Sequence, residues 1–430
     1  MHPIRILARA ARATLSPALF AAATLALAAC VSSPHSPQRG SIPTPSPSPP
    51  VLLVSIDGFH PGYLDLGITP NLARVVDAGV RAEWMNPSYP SLTFPNHYTL
   101  VTGLRPDRHG IVHNTMQDPE LGDFSLRNRD AVGDGRWWGG EPIWVGASKA
   151  GLPNATVFWP GSEAAIQGMH PDRWMPYDGD LPYNERVDTV LGWLSEPEAT
   201  RPRIATLYFE NVDKYGHENG PDSSETRAAI READAAIGRL LDGLQARGLL
   251  DRINLIVVSD HGMAATTAEQ AVAIEDIVSP SDGKVVSHGQ SVGIEPVPGR
   301  EAALEAHLLG RHDRYQCWRR QDLPKRWHYG RNPRIPSIIC QMDEGSDAIP
   351  AQWIERRRAS GSRGSHGFDP DLPSMRAIFI ARGPAFRNGA VIPAFDNVDV
   401  YPLLARLIGI EPADNDGDIS SLLPALEGEQ

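Results

Sequence analysis

Seven residues of this chain have the types and surroundings to do chemistry together. Asp57 follows Val-Leu-Leu-Val-Ser-Ile, and Asp260-His261-Gly262 follows Ile-Val-Val-Ser some two hundred residues later. Each places an acid, or an acid and an imidazole, directly after an apolar, β-branched run that reads as a buried strand, where open α/β sheets keep their sites. Asp213 and His217 stand four apart just beyond a third such run, so both reach one ion if that segment is helical. His366 lies in the Gly-rich stretch Gly361-Ser-Arg-Gly-Ser-His366-Gly. Hard carboxylates mixed with imidazoles suit zinc or a similar divalent ion, and there are enough of them for two sites. Thr93, in Ser-Leu-Thr93-Phe94-Pro95, supplies a hydroxyl before a short helix expected over 96–102, with Pro95 at its first position. The free N–H groups at that helix mouth favour an anion, and a threonine hydroxyl needs a metal or a base to become a nucleophile.

The elements that must position these groups alternate. Strands are expected at 51–56, 204–209, 253–258 and 377–381, with helices at 71–78 (capped by Thr69 before Pro70), 223–249 and 400–408. This βα alternation implies a doubly wound, mostly parallel sheet flanked by helices. The stretch 267–347 breaks the rhythm, with a strand or hairpin at 288–297 and a short helix at 301–309, and reads as an inserted α+β subdomain. The catalytic domain is therefore expected over 51–425.

Ahead of it, residues 1–29 contain Arg5, Arg9, Arg12 and an Ala/Leu-rich run without an acid, an export signal of bacterial type rather than a membrane span. Leu27-Ala28-Ala29-Cys30 has the small residues that precede a lipidated cysteine, so a periplasmic or outer-membrane-anchored lipoprotein is expected, the alternative being an ordinary secreted protein cut nearby. Residues 30–50, rich in Pro and Ser, form a tether that cannot build a core. The formal charge of −12 argues against general polyanion or nucleic-acid binding, and a phosphate-bearing substrate would need positive charge from bound metal. Cys317 and Cys340, the two other cysteines, are expected to form a disulfide in an exported chain, stabilising it by roughly 3 kcal/mol on the chain-entropy view.

Taken together, these motifs resemble the nucleotide pyrophosphatase/phosphodiesterase family of the alkaline phosphatase superfamily, in a bacterial form. The resemblance runs from Val51 to about Ile410 and includes Thr93-Phe-Pro-Asn-His-Tyr, His109-Gly-Ile-Val-His-Asn114, Glu141-Pro-Ile-Trp144 and Phe158-Trp-Pro-Gly-Ser-Glu163. It implies an alkaline phosphatase-like fold and two zinc ions per chain. One would be held by Asp57, Asp260, His261 and the Thr93 oxygen, the other by Asp213, His217 and His366. It further implies a phosphothreonine intermediate on Thr93, with Asn114 and the Thr93 N–H binding a phosphate oxygen. Phe94 and Tyr177 resemble the aromatic pair that sandwiches a nucleobase. Two divalent ions against three aspartates and a threonine alkoxide leave the attacking state near neutral, which suits a singly charged diester. The expected substrates are ATP or dinucleoside polyphosphates, cleaved to nucleoside 5′-monophosphates by a monomer that meets the membrane only through a lipid on Cys30. The alternatives are a choline-phosphodiester (lipid) phosphodiesterase and, in another class, a catalytically inactive metal-dependent binding protein.

Overall fold

The structure is a computed structural model that describes residues 48–358, 361 and 363–428. The expected export signal, Cys30 and most of the expected tether lie outside the described residues. Among the described residues, no helix is long and apolar enough to cross a membrane.

An eight-stranded sheet organises the molecule: β1 (Val51–Ile56), β2 (Gly79–Ala82), β3 (Asn154–Val157), β4 (Arg173–Trp174), β5 (Ile204–Phe209), β6 (Asn254–Val258), β7 (Phe379–Arg382) and β8 (Ala390–Ile392). Their order across the sheet is β8-β2-β7-β6-β1-β5-β3-β4. All pairings are parallel except those of β7 with β6 and β2. Every residue of β1, β5 and β6 is buried, which explains why these runs are continuously apolar rather than alternating.

Two apolar layers cover the sheet. On one face, Val51, Leu53, Ile204 and Ile256 pack with α2 (Thr93–Thr102), a helix over Ile143–Lys149 and the closing helix Val400–Ile408. On the other, Leu52, Val54, Leu207 and Val257 pack with α1 (Pro70–Asp77) and helices over Tyr183–Leu194 and Ser224–Ala246. The expected doubly wound, mostly parallel architecture is therefore observed.

Local details depart from the sequence reading. Thr69 makes no capping hydrogen bond at α1; instead Asp234, from the long helix beneath, accepts from the Asn71 and Leu72 amides at 3.0 and 2.8 Å. A buried carboxylate answers the positive end of a helix better than a neutral hydroxyl does. Gly79 is required for close approach, since a Cβ there would sit 2.0 Å from the Ala381 carbonyl oxygen. Helix α2 starts at Thr93 itself rather than at Pro95. Proline at the third position is tolerated because the first-turn amides have no intrahelical acceptor anyway.

Beyond β6 the chain builds a second, five-stranded antiparallel sheet, with Gly283–Ser287, Ser291–Pro296, Ile338–Met342, Tyr315–Arg319 and Gly310–Arg311 side by side in that order. Cys317 and Cys340 face each other on neighbouring strands of it and are joined as a disulfide. The return crosses back as Arg363–Ser365, antiparallel to Ala264–Thr266, which delivers His366 to the end of the central sheet.

The packing around α2 carries a pH dependence. His109 and His113 are buried, and burial pushes each down to about 3. His109 accepts from the Ile111 amide on Nδ1, while Nε2 faces the Pro95 carbonyl at 3.1 Å, so the neutral ring with its proton on Nε2 fits. Above the unfolded value near 6.5, neither state binds a proton and stability is full. Below it the unfolded chain takes up protons that the fold refuses, and stability falls by about 1.4 kcal/mol per pH unit for each ring, down to about pH 3. Urea unfolding between pH 8 and 5 should show this slope, and His109→Gln should remove its share of it.

Candidate active site

Three adjacent parallel strands, β5-β1-β6, end at the same edge of the sheet, and each end carries acids or imidazoles. Asp57 closes β1, Asp260 and His261 follow β6, and Asp213 and His217 lie on α3 (Asn211–Asn219), which begins two residues after β5. The four-residue spacing is thus realised on a helix. Gly58 has φ +69°, and a Cβ there would lie 3.0 Å from the Asp213 Cα, so the turn after Asp57 is held to glycine by both conformation and space.

The side chains converge. His217 Nε2 and His366 Nε2 each lie 3.4 Å from Asp213 Oδ1. His261 Nε2 is 2.9 Å from Asp260 Oδ2 and 3.7 Å from Asp57 Oδ1, and the Thr93 hydroxyl is 3.4 Å from the same nitrogen. The rings of His261 and His366 stack with centroids 3.5 Å apart. The structure therefore brings Asp57, Thr93, Asp213, His217, Asp260, His261 and His366 into one centre.

The imidazoles are oriented alike. His217 Nδ1 faces the Gly364 carbonyl, His261 Nδ1 the Gly262 carbonyl and His366 Nδ1 the Ser91 carbonyl, all at 2.9 Å. A carbonyl only accepts, so each Nδ1 carries the proton and each Nε2 turns a lone pair towards the carboxylates. Burial, reinforced by His261 and His217, holds His366 well below the ordinary histidine range, which keeps it neutral. Burial also lowers His261, but Asp260 beside it carries its pKa above the usual value. Asp57 is raised well above the carboxylate range by burial, then by Asp260 and Asp213. These acids call for a counter-charge.

Whether a cation fits can be tested on the oxygens themselves. Asp57 Oδ1, Asp213 Oδ1 and Asp260 Oδ2 are buried and have no hydrogen-bond partner, a costly state unless an ion satisfies them. Asp213, His217 and His366 present ligand atoms within 4.8 Å of one another, as do Asp57, Asp213 and His261. The donor set of carboxylate oxygens and imidazole nitrogens fits a divalent metal. His97 also falls within such a group with Asp57 and Asp260, but its nitrogens are already engaged. Nδ1 faces the Thr93 carbonyl at 3.0 Å and Nε2 the Ser55 hydroxyl at 2.8 Å. It lies 3.2 Å from Asp260 Oδ2 without an aligned hydrogen bond, since its proton goes to Thr93.

Thr93, Phe94, Asn114 and Tyr177 line a cavity of about 610 Å³ together with Asp57, Asp213, His217 and His366. Asn114 Oδ1 accepts from the Phe94 amide at 3.0 Å, which leaves its NH2 group for a ligand. Tyr177 hangs on the loop before Tyr183–Leu194, its amide donating to Glu163. Sequence reasoning assigned no role to His97 or Tyr208. The four-residue offset of His97 from Thr93 was a usable signal; Tyr208, inside an apolar strand, offered none.

An alkaline phosphatase-like α/β fold with a buried Asp/His centre at the strand ends defines the class. The chain belongs to the type I phosphodiesterase / nucleotide pyrophosphatase family, whose profile matches residues 51–369. It is 37% identical over 392 residues to mouse ectonucleotide pyrophosphatase/phosphodiesterase family member 1, covering 87% of this chain and 42% of that protein. It is 36% identical over 409 residues to the rat family member 3, covering 92% and 45%, and 37% identical over 387 residues to the venom phosphodiesterase CdcPDE of Crotalus durissus collilineatus, covering 87% and 46%. The chain thus spans less than half the length of these curated relatives. Murine ectonucleotide pyrophosphatase/phosphodiesterase 5 superposes with a TM-score of 0.83 at 31% identity, over 88% of this chain and 100% of that one. The same murine protein is described as an inactive threonine-to-alanine variant in complex with AMP. These relatives are animal proteins and give no support to the expected bacterial form.

Proposed function

We propose that this chain hydrolyses phosphodiester and pyrophosphate bonds of nucleotides and releases nucleoside 5′-monophosphates through a phosphothreonine on Thr93. The observation that carries this reading is the Thr93 hydroxyl, at the start of α2, 3.4 Å from His261 Nε2 on the wall of a cavity also lined by Phe94 and Tyr177. Asp57, Asp260, His261 and the Thr93 oxygen would hold one zinc ion, and Asp213, His217 and His366 the other. Bound zinc lowers the pKa of a coordinated hydroxyl or water and neutralises charge that develops on the phosphoryl oxygens.

The chain's own groups do the rest. Phe94 and Tyr177 take the base between them and so place the α-phosphorus over Thr93. The Thr93 oxygen attacks phosphorus, the bond to the leaving oxygen breaks, and a Thr93–phosphate ester remains. Water then cleaves that ester from the opposite side and regenerates the hydroxyl. The Asn114 amide and the Thr93 N–H, which lacks an intrahelical acceptor, donate to a non-bridging oxygen in both steps. Asn114→Ala is expected to lower kcat by about 10²–10³-fold with nucleotide binding largely retained, read from steady-state kinetics on a thymidine 5′-monophosphate ester.

The named relatives act in the same chemical class by their titles, and their ecto prefix is in keeping with an exported protein. A product assay tests the reading: ATP and dinucleoside polyphosphates should yield AMP. Choline release from lipid diesters without nucleotide cleavage, or faster turnover of p-nitrophenyl phosphate than of its bis-ester, would overturn it.

A further inference from the structure

Strand β5 carries two hydroxyls: Thr206 spends its own on the Phe158 carbonyl, and Tyr208, near the strand end, carries one into the site. Tyr208 is the register partner of Ser55 on β1, so the two side chains emerge on the same face of the sheet, the one covered by α2. Its ring lies edge-on to His97 at 5.2 Å and to Tyr177 at 6.2 Å, and lines the cavity while only 9% exposed. The hydroxyl donates to Asp57 Oδ2 at 2.6 Å. Asp57 Oδ1, in contrast, is buried without a partner. The phenol therefore divides the carboxylate, occupying one oxygen and leaving the other turned into the centre.

The phenol is itself held. Arg186, fully buried, donates to the Tyr208 carbonyl at 2.9 Å, to Glu210 at 2.5 and 2.9 Å, and to the Leu181 carbonyl at 2.9 Å. Its guanidinium sits 4.9 Å over the Phe158 ring. The end of β5 is thus fixed to the loop that follows Tyr177, and Tyr208 has little freedom to follow a moving carboxylate.

We infer that Tyr208 is a positioning residue that holds Asp57 as a one-oxygen ligand and sets the affinity of the metal that Asp57 binds. The inference rests on the ligand set proposed above. Without the hydroxyl, Oδ2 is left buried and unpaired, and the carboxylate turns to satisfy it, which misplaces Oδ1. Partners of this kind typically change metal affinity by about 10–100-fold.

The test uses the zinc-loaded chain titrated with a chromogenic chelator. Tyr208→Phe, which keeps the ring and its edge contacts, should release one zinc equivalent at about 10–100-fold lower chelator strength and leave the other unchanged. The metal-free variant should melt no more than a few degrees lower, the cost of one buried hydrogen bond, because the packing of the ring is conserved. In an Asp57→Asn background, Tyr208→Phe should add no further loss. Unchanged zinc affinity would overturn the inference, as would an equal loss in the Asp57→Asn background, or a lower melting temperature of the metal-free variant with zinc affinity intact. Wild-type chain that takes up no zinc would instead remove the ligand assignment, and this inference with it.

Discussion

Thr93→Ala is expected to abolish turnover, on the order of 10⁴-fold or more in kcat, with the fold and bound metal retained. The size follows from the role: removing a nucleophile leaves only what binding and charge stabilisation provide, whereas removing a positioning group leaves the reaction path open. Little stability should be lost, because the Thr93 hydroxyl makes, among the described residues, only a long hydrogen bond of 3.4 Å, to His261. The residue remains at the first position of α2, and its carbonyl still accepts from His97. Thr93→Ser keeps a hydroxyl at the same place and should retain measurable activity. Rapid-quench kinetics with an α-labelled nucleotide would separate the outcomes: wild type and Thr93→Ser should trap label on the chain, and Thr93→Ala should trap none. Turnover within tenfold of wild type in Thr93→Ala would mean that water attacks directly and that the covalent route is wrong.

Removal of the metal is expected to cost nearly as much activity and, unlike the threonine substitution, stability as well. Burial together with Asp260 and Asp213 already raises Asp57, so the stripped centre must either bind protons or bear the repulsion. With free zinc at about 1,000 times its Kd, the bound state is stabilised by about 4 kcal/mol relative to the stripped one. Chelation should therefore lower the melting temperature by several degrees and abolish release of nucleoside monophosphate, and zinc, but not sodium, should restore both. Asp213→Asn isolates one half of the effect. It removes the negative charge and one of the two oxygens of the carboxylate whose Oδ1 lies 3.4 Å from both His217 and His366 Nε2, and metal analysis should then show one equivalent fewer per chain. A full complement of metal in Asp213→Asn, or an unchanged melting curve after chelation, would overturn the two-metal assignment.

Much of the framework was legible because buried parallel strands announce themselves. Val51–Ile56 and Ile204–Phe209 are continuous apolar runs bounded by turn residues, and both were read to the residue. Val400–Ile408 was equally plain from its apolar face and the glycine that follows it. Local chemistry misled where a distant group intervened. Thr69 looked like a cap, but Asp234, more than 160 positions away, fills that role for α1, and no pattern around residue 69 points to it. Pro95 suggested the wrong first turn because proline is permitted at several early positions, not only the first. His366 stood in a glycine-rich stretch with no apolar pattern to fix it. It is buried because the short strand before it pairs with Ala264–Thr266, a contact across about a hundred residues.

By itself the sequence determined the order of strands and helices, the export and tether segments as expectations, and an inventory of acids, imidazoles and one hydroxyl able to hold and use a cation. These are local properties, written in hydrophobic period, turn residues and side-chain type. Only the tertiary structure decided that β5, β1 and β6 lie side by side, so that Asp57, Asp213 and the Asp260-His261 pair end at one edge. It alone turned the three histidines so that Nδ1 meets a backbone carbonyl and Nε2 faces the acids, and it alone gave Asp57 a tyrosine on one oxygen and nothing on the other. The physical reason is that a hydrogen bond or an ion pair depends on distance and direction between groups far apart in the chain, and those are fixed only when the sheet closes its layers around them.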